Sequence, residues 1–189
     1  MKNLVPSVLP LMLLGCMTQP VKTNTTASAD TPQEQCIGST ELPDALKTQF
    51  KKVDDPQLLQ QALGGPDKGK LCQGQVYQSV AAAQVIVYRA WNSTNPYSQF
   101  GNWWAFEQPT GKVADYRSDY EICYQWSPLD KMLSCTLQPG TKVVVGNGQS
   151  AYCSEYLTYP VSEKQQVFIV DAETVMSNCK NYDGVFRWQ

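Results

Sequence analysis

The chain of 189 residues predicts an α+β domain: short N-terminal helices followed by a mainly antiparallel β-sheet with long loops, stabilised by disulfides. Three observations carry this. Helical spacing of apolar residues is confined to the stretch from Leu42 to Leu63, β-rich apolar runs separated by Pro and Gly fill the later chain, and cysteines are spread over both. In the first stretch Leu42, Leu46 and Phe50, then Leu58, Leu59 and Ala62, recur at helical intervals. Asp44 stands near its start and Gly64-Gly65-Pro66 ends it, so two short helices are expected, parted near Asp54-Asp55-Pro56. A helix or turn is expected from Ser79 to Ala82, with a buried strand from Gln84 to Ala90 ending in Tyr88-Arg89. After the polar loop at Asn92-Ser93-Thr94-Asn95-Pro96 comes a short aromatic strand, Trp103-Trp104-Ala105-Phe106, halted by Pro109 and Gly111. A helix is expected from Ala114 to Cys123, with Asp115, Arg117 and Asp119 facing water. Lys131 to Thr136 and Thr141 to Val145 read as strands around the turn Gln138-Pro139-Gly140, and Gln165 to Val170 as another after a Tyr-rich loop.

The N-terminus has a different character. Met1-Lys2-Asn3 opens with a positive charge, and Leu4 to Leu14 is an apolar run broken by Pro6 and Pro10, too short to span a bilayer as a helix. These features read as an export signal over residues 1–15. Leu13-Leu14-Gly15-Cys16 resembles the bacterial lipobox, which implies that the thiol of Cys16 is acylated and becomes the new N-terminus. Acyl chains contribute about 0.8 kcal/mol per buried CH₂, so two or three on one cysteine would hold the protein on a membrane. Met17 rather than Asp follows, which resembles lipoproteins sent to the outer membrane of Gram-negative cells. Residues 16–35 carry Thr, Pro, Ser and Gln with little apolar content and are expected to form a flexible tether, leaving 36–189 as one domain.

Seven cysteines leave six once Cys16 is spent on lipid: Cys36, Cys72, Cys123, Cys135, Cys153 and Cys179. An even number in an exported chain implies three disulfides. Pairing is open in principle; short separation suggests a hairpin staple between Cys123 and Cys135, and Cys36 with Cys72 would close the N-terminal region. A zinc site is disfavoured, because no Cys-x-x-Cys pair and no histidine exist.

Composition excludes more than it selects. With 15 Lys and Arg against 17 Asp and Glu, dispersed, the chain lacks the basic excess of a nucleic-acid binder. The absence of histidine removes Ser-His-Asp and Cys-His hydrolases, His-Glu-x-x-His metalloproteases and imidazole acid–base chemistry together. No metal or organic cofactor is implied. Ten tyrosines and five tryptophans in a small domain suit recognition of a glycan, a peptide or another envelope protein.

One constellation points to chemistry. A strand ending in Tyr88-Arg89, a Gly101-Asn102-Trp103-Trp104 strand, a Pro139-Gly140-Thr141-Lys142 strand start and a late Gln165-Gln166-Val167-Phe168 strand follow one another. In order and spacing they resemble the ADP-ribosyltransferase-like fold, and more narrowly its bacterial NAD glycohydrolase toxin branches, over residues 84–172. The resemblance implies that Arg89 binds the NAD diphosphate with Tyr88 in support, that Trp103 and Trp104 line the nicotinamide pocket, and that Gln166 takes the catalytic place on the third motif. Glutamine where many members carry glutamate implies NAD hydrolysis rather than protein modification, a neutral amide positioning the ribose while water attacks an oxocarbenium-like centre. NAD then enters as substrate. Elsewhere, Asp115, Asp119 and Glu121 alternate with Arg117 and read as a solvated helix face, and Gly146 to Ser150 reads as a turn. Phe186-Arg187-Trp188-Gln189 is expected to pack back on the domain.

Overall fold

The computed structural model describes residues 35–184 and residue 186. The export signal, Cys16 and most of the tether lie outside the described residues. Strands and helices follow in the order β1 (Phe50–Lys52), α1 (Pro56–Ala62), β2 (Leu71–Ser79), β3 (Val85–Trp91), β4 (Trp103–Trp104), α2 (Val113–Asp119), β5 (Lys131–Leu137), β6 (Lys142–Gly148), β7 (Ala151–Ser154), β8 (Leu157–Tyr159), β9 (Gln165–Phe168) and β10 (Met176–Asp183). The architecture is mostly antiparallel sheet with few helices, each short.

Five strands form one sheet in the order β1-β2-β6-β9-β4, and three form another in the order β10-β5-β3. Their edges meet where β3 runs past the end of β4. Tyr88 and Ala105 exchange two backbone hydrogen bonds of 2.8 Å there, a single bridge between the sheets. Below this seam the sheets face each other. Alternate residues Val143, Val145, Val167, Ile169 and Trp104 of the larger sheet pack on Val85, Val87, Leu133 and Leu137 of the smaller, forming the main core. The opposite face of the larger sheet, through Val76, Val144 and Phe168, is covered by Leu58 and Ala62 of α1. With a layer on each face, β6 is buried throughout Val143–Val145, which is why its sequence is a continuous apolar run rather than an alternating one. Helix α1 starts where Asp55 Oδ1 accepts the amide of Leu58 at 3.0 Å and Pro56 takes the first helical position.

Several elements depart from the sequence-based expectation. The first helix is a 3-10 turn over Asp44–Gln49, and Phe50 begins a strand instead of ending a helix. Strand β2 was hidden by its polar residues: Gln73 donates to Asn147 Oδ1 at 3.0 Å and Gln78 to the carbonyl of Gly140 at 2.8 Å, so glutamines occupy strand positions with their amides satisfied. Helix α2 stops at Asp119, because Tyr120 leaves helical geometry and Glu121 adopts φ 46°, turning the chain before Cys123. Gly146 to Gly148 are the end of β6, not a turn, and the Tyr-rich loop holds the β7–β8 hairpin. Phe186 packs on Tyr116 with ring centroids 4.9 Å apart; the other three C-terminal residues lie outside the described residues.

Three disulfides join the six cysteines. Cys36–Cys72 is as expected, with Cα atoms 5.6 Å apart. The expected Cys123–Cys135 staple is not formed: Cys123 pairs with Cys153 and Cys135 with Cys179. The reason is topological. Cys123 sits in the turn after α2 against β7, whereas Cys135 lies inside β5, whose neighbour β10 bulges between Ser177 and Lys180 and brings Cys179 alongside.

Candidate functional site

The cavity opens beside the seam between the two sheets, with a volume of about 330 Å³. That is within the size range of small-molecule sites. Arg89, Trp103, Trp104 and Gln166 all line it, because β9, β4 and β3 are neighbours and each presents its motif residue at the same end. Tyr88 does not. Successive residues of a strand point to opposite faces, so with Arg89 turned inward Tyr88 lies over Ile86, Met132 and Tyr182 on the other side of β3. The supporting role expected for Tyr88 is not met by this geometry.

Arg89 is partly buried and held by backbone. Its Nε donates to the carbonyl of Ser98 at 2.8 Å and one terminal nitrogen to the carbonyl of Trp103 at 2.6 Å. Gly101 makes room for it, since a Cβ there would lie 2.8 Å from the guanidinium carbon. Desolvation lowers its pKa to about 10, so the cation persists at neutral pH. Among the described residues no carboxylate pairs with it. A fixed, unneutralised guanidinium in a cavity favours an anionic ligand group.

The two tryptophans divide as strand alternation requires. Trp104 is buried in the main core, its Nε1 donating to the carbonyl of Gly101 at 2.7 Å. Trp103 leans on Phe168 with ring centroids 5.0 Å apart on the opposite face. Both reach the cavity, while Trp91 and Trp126 add further indole surface to its walls. Lys68 and Lys70 stand at its rim.

Gln166 is buried rather than solvated, and its partner is the residue that sequence reasoning placed wrongly. Gln166 Nε2 donates to Oε2 of Glu121 at 2.7 Å. Glu121 was expected on a solvated helix face; it is 2% exposed, because the positive φ that ends α2 swings its side chain over β6 and β9. Gly148 is what lets it fit: a Cβ there would overlap the carboxyl carbon and both its oxygens. Oε1 of Glu121 has no hydrogen-bond partner among the described residues, and neither has Nε1 of Trp91 in the same cavity. Buried polar atoms left unpaired cost about 1–3 kcal/mol each. Burial pushes the Glu121 carboxyl up to about 9, opposed by hydrogen bonds from Gln166 and Ser162, so it is protonated at neutral pH in the free protein. Arg117, also expected to face water, turns inward and donates to the carbonyls of Ile122, Cys123 and Ser127, fixing the turn that carries Glu121. In the sequence, Tyr120-Glu121-Ile122-Cys123 sets a carboxyl among apolar and aromatic neighbours.

No family model matches the chain, and neither curated proteins nor solved structures include a significant match.

Proposed function

We propose that this protein is an envelope lipoprotein, anchored through Cys16, whose domain hydrolyses NAD. The observation that carries the reading is that Arg89, Trp103, Trp104 and Gln166, picked out by their order in the chain, line the same cavity. The unneutralised Arg89 suits a diphosphate, the indole walls suit a planar nicotinamide, and the Gln166 amide suits a ribose hydroxyl. The acceptor is water, and no cofactor is required. In the free protein Gln166 is hydrogen-bonded to the protonated Glu121 carboxyl.

The test is NAD consumption by the purified, oxidised full chain beside an Arg89→Ala, Gln166→Ala double variant. Turnover abolished in the variant supports the reading; a wild type that neither binds nor consumes NAD overturns it. Anchoring is tested by Cys16→Ser, expected to leave the membrane fraction, whereas continued membrane fractionation through the N-terminus would overturn that part.

A second reading rests on a different observation. Tyr97 and Tyr156 are almost fully exposed, and Tyr124, Trp126 and Tyr152 stand out around the Cys123–Cys153 disulfide. Such aromatics suit a non-catalytic lipoprotein that holds an envelope partner by its loops. Replacing Tyr152 and Tyr156 by Ser would abolish that binding, in a wild type that does not consume NAD.

A further inference from the structure

The cavity contains a carboxyl that the motif residues do not account for. We propose that Glu121 is a catalytic residue, the base that takes the proton from the attacking water when the bond between C1′ of the ribose and the nicotinamide nitrogen is broken. The proposal rests on the NAD reading above and assigns the step that reading leaves without a proton acceptor, since neither Gln166 nor Arg89 can accept a proton at neutral pH.

Geometry singles out Glu121. It is 2% exposed, lines the cavity, and is fixed through Oε2 by Gln166 at 2.7 Å while Oε1 has no hydrogen-bond partner among the described residues. Two features maintain that placement against ordinary preference. The backbone at Glu121 takes φ 46°, and Gly148 on β6 gives up its side-chain space to the carboxyl. Gln166 and the Ser162 hydroxyl both support the carboxyl, yet Oε1 is left without a hydrogen-bond partner among the described residues in a side chain that lines the cavity.

The charges around it set its cycle. Facing the cavity with it are Lys68 and Lys70 from the segment before β2, Arg89 from β3, Tyr116 from α2, Tyr120 just after it and Gln166 from β9, with Asp119 behind it and the Ser162 hydroxyl bonded to the carboxyl. In the free protein the carboxyl is protonated. The positive ring of NAD, entering beside it, favours the charged form, and Glu121 releases its proton to solvent. Water then attacks C1′: its oxygen forms the new C–O bond, the C1′–N bond breaks, and that electron pair goes to the ring nitrogen and cancels the positive charge. The proton lost by water goes to Glu121, which regains its resting form as neutral nicotinamide departs. One proton is released to solvent per turnover, matching the overall conversion of NAD and water to ADP-ribose, nicotinamide and a proton.

The test uses the oxidised full chain and Glu121→Gln, a near-isostere of the protonated acid that keeps an acceptor for Gln166. Calorimetry at pH 7 in MOPS and in Tris reads proton release on binding a carbocyclic NAD analogue whose C1′–N bond resists hydrolysis. NADH, whose ring is uncharged, is the control. The expected result is about one proton released by the wild type with the analogue and none with NADH. Glu121→Gln is expected to melt no lower than the wild type at pH 7 and bind the analogue without proton release, with turnover down on the order of 100-fold or more. Glu121→Asp is expected to recover part of the turnover. NAD hydrolysis by the wild type that Glu121→Gln leaves essentially unchanged overturns the role of Glu121 while the functional reading survives, as does analogue binding with no proton release. A wild type that neither binds nor hydrolyses NAD overturns both.

Discussion

Gly148→Ala isolates the packing of Glu121 from its chemistry. The backbone of Gly148 is not in the left-handed region, so alanine is acceptable there on conformational grounds. What the methyl meets is the Glu121 carboxyl, overlapping its carbon and both oxygens. The side chain must move, and its hydrogen bond with Gln166 at 2.7 Å is lost. Leaving the buried Gln166 amide with only its 3.5 Å contact to the Tyr120 carbonyl costs about 1–3 kcal/mol, and crowding in a packed interior costs about 1–3 kcal/mol. Because relief of one worsens the other, a total of about 2–4 kcal/mol is expected, which for a domain of this size lowers Tm by roughly 4–16 °C. The assay is thermal unfolding followed by circular dichroism, run as a double-mutant cycle with Glu121→Ala. In the Glu121→Ala background the carboxyl is gone, so Gly148→Ala should then cost little. An unchanged Tm for Gly148→Ala alone, or the same loss in both backgrounds, would refute the claim that glycine is there to admit the carboxyl.

Four further outcomes are expected. Glu121 titrates near 9 folded and from 4.5 unfolded. Below the lower value both states are protonated and the group contributes nothing; as pH rises between the two, only the unfolded state ionises, so stability falls by up to about 1.4 kcal/mol per pH unit. Urea unfolding of wild type against Glu121→Gln from pH 5 to 8 measures this, and parallel profiles would contradict it. Removing the Cys36–Cys72 bridge by double Ala substitution opens a loop of sequence separation 36, and chain entropy puts the cost at about 4 kcal/mol, to be read as a drop in the denaturant midpoint. Non-reducing peptide mapping should also recover Cys123 linked to Cys153, and a fragment linking Cys123 to Cys135 would contradict the topology. Asp55→Ala removes both the cap on Leu58 and the ion pair of Asp55 with Lys142 at 2.8 Å. It should cost about 1 kcal/mol in urea unfolding, most of it from the cap.

The parts of this fold that were legible in the sequence are those where one periodicity dominates. Val85–Trp91, Lys131–Leu137 and Lys142–Gly148 are apolar because both faces or one whole face of each strand are covered, and all three were read as strands. Strand β2 was not, since glutamines stand where an alternating pattern needs apolar residues and their amides are satisfied by contacts distant in sequence. The same applies to the site. Arg89, Trp103, Trp104 and Gln166 each sit on a strand whose register with its neighbour fixes where the side chain goes, so their order along the chain carried spatial information. Glu121 sits on a turn, and the direction of a turn residue depends on one dihedral and on the missing side chain of Gly148, two features with no local pattern. The cysteine pairing failed for a related reason: separation along the chain says nothing about which strand edge a loop reaches.

The Cys36–Cys72 bridge bears on how the domain meets a mechanical load. Tension applied along the chain from its N-terminal side reaches Cys36 and passes through sulfur to Cys72 on β2, so it never stretches the backbone between them. The 3-10 turn, β1 and α1 all lie within that covalent loop and are bypassed. The load arrives instead on a strand hydrogen-bonded on both sides, to β1 and to β6, where it must shear many bonds at once rather than peel them singly. A domain pulled from its N-terminal side would therefore yield there only after reduction, and single-molecule pulling with and without a reductant would display the difference as a missing early extension.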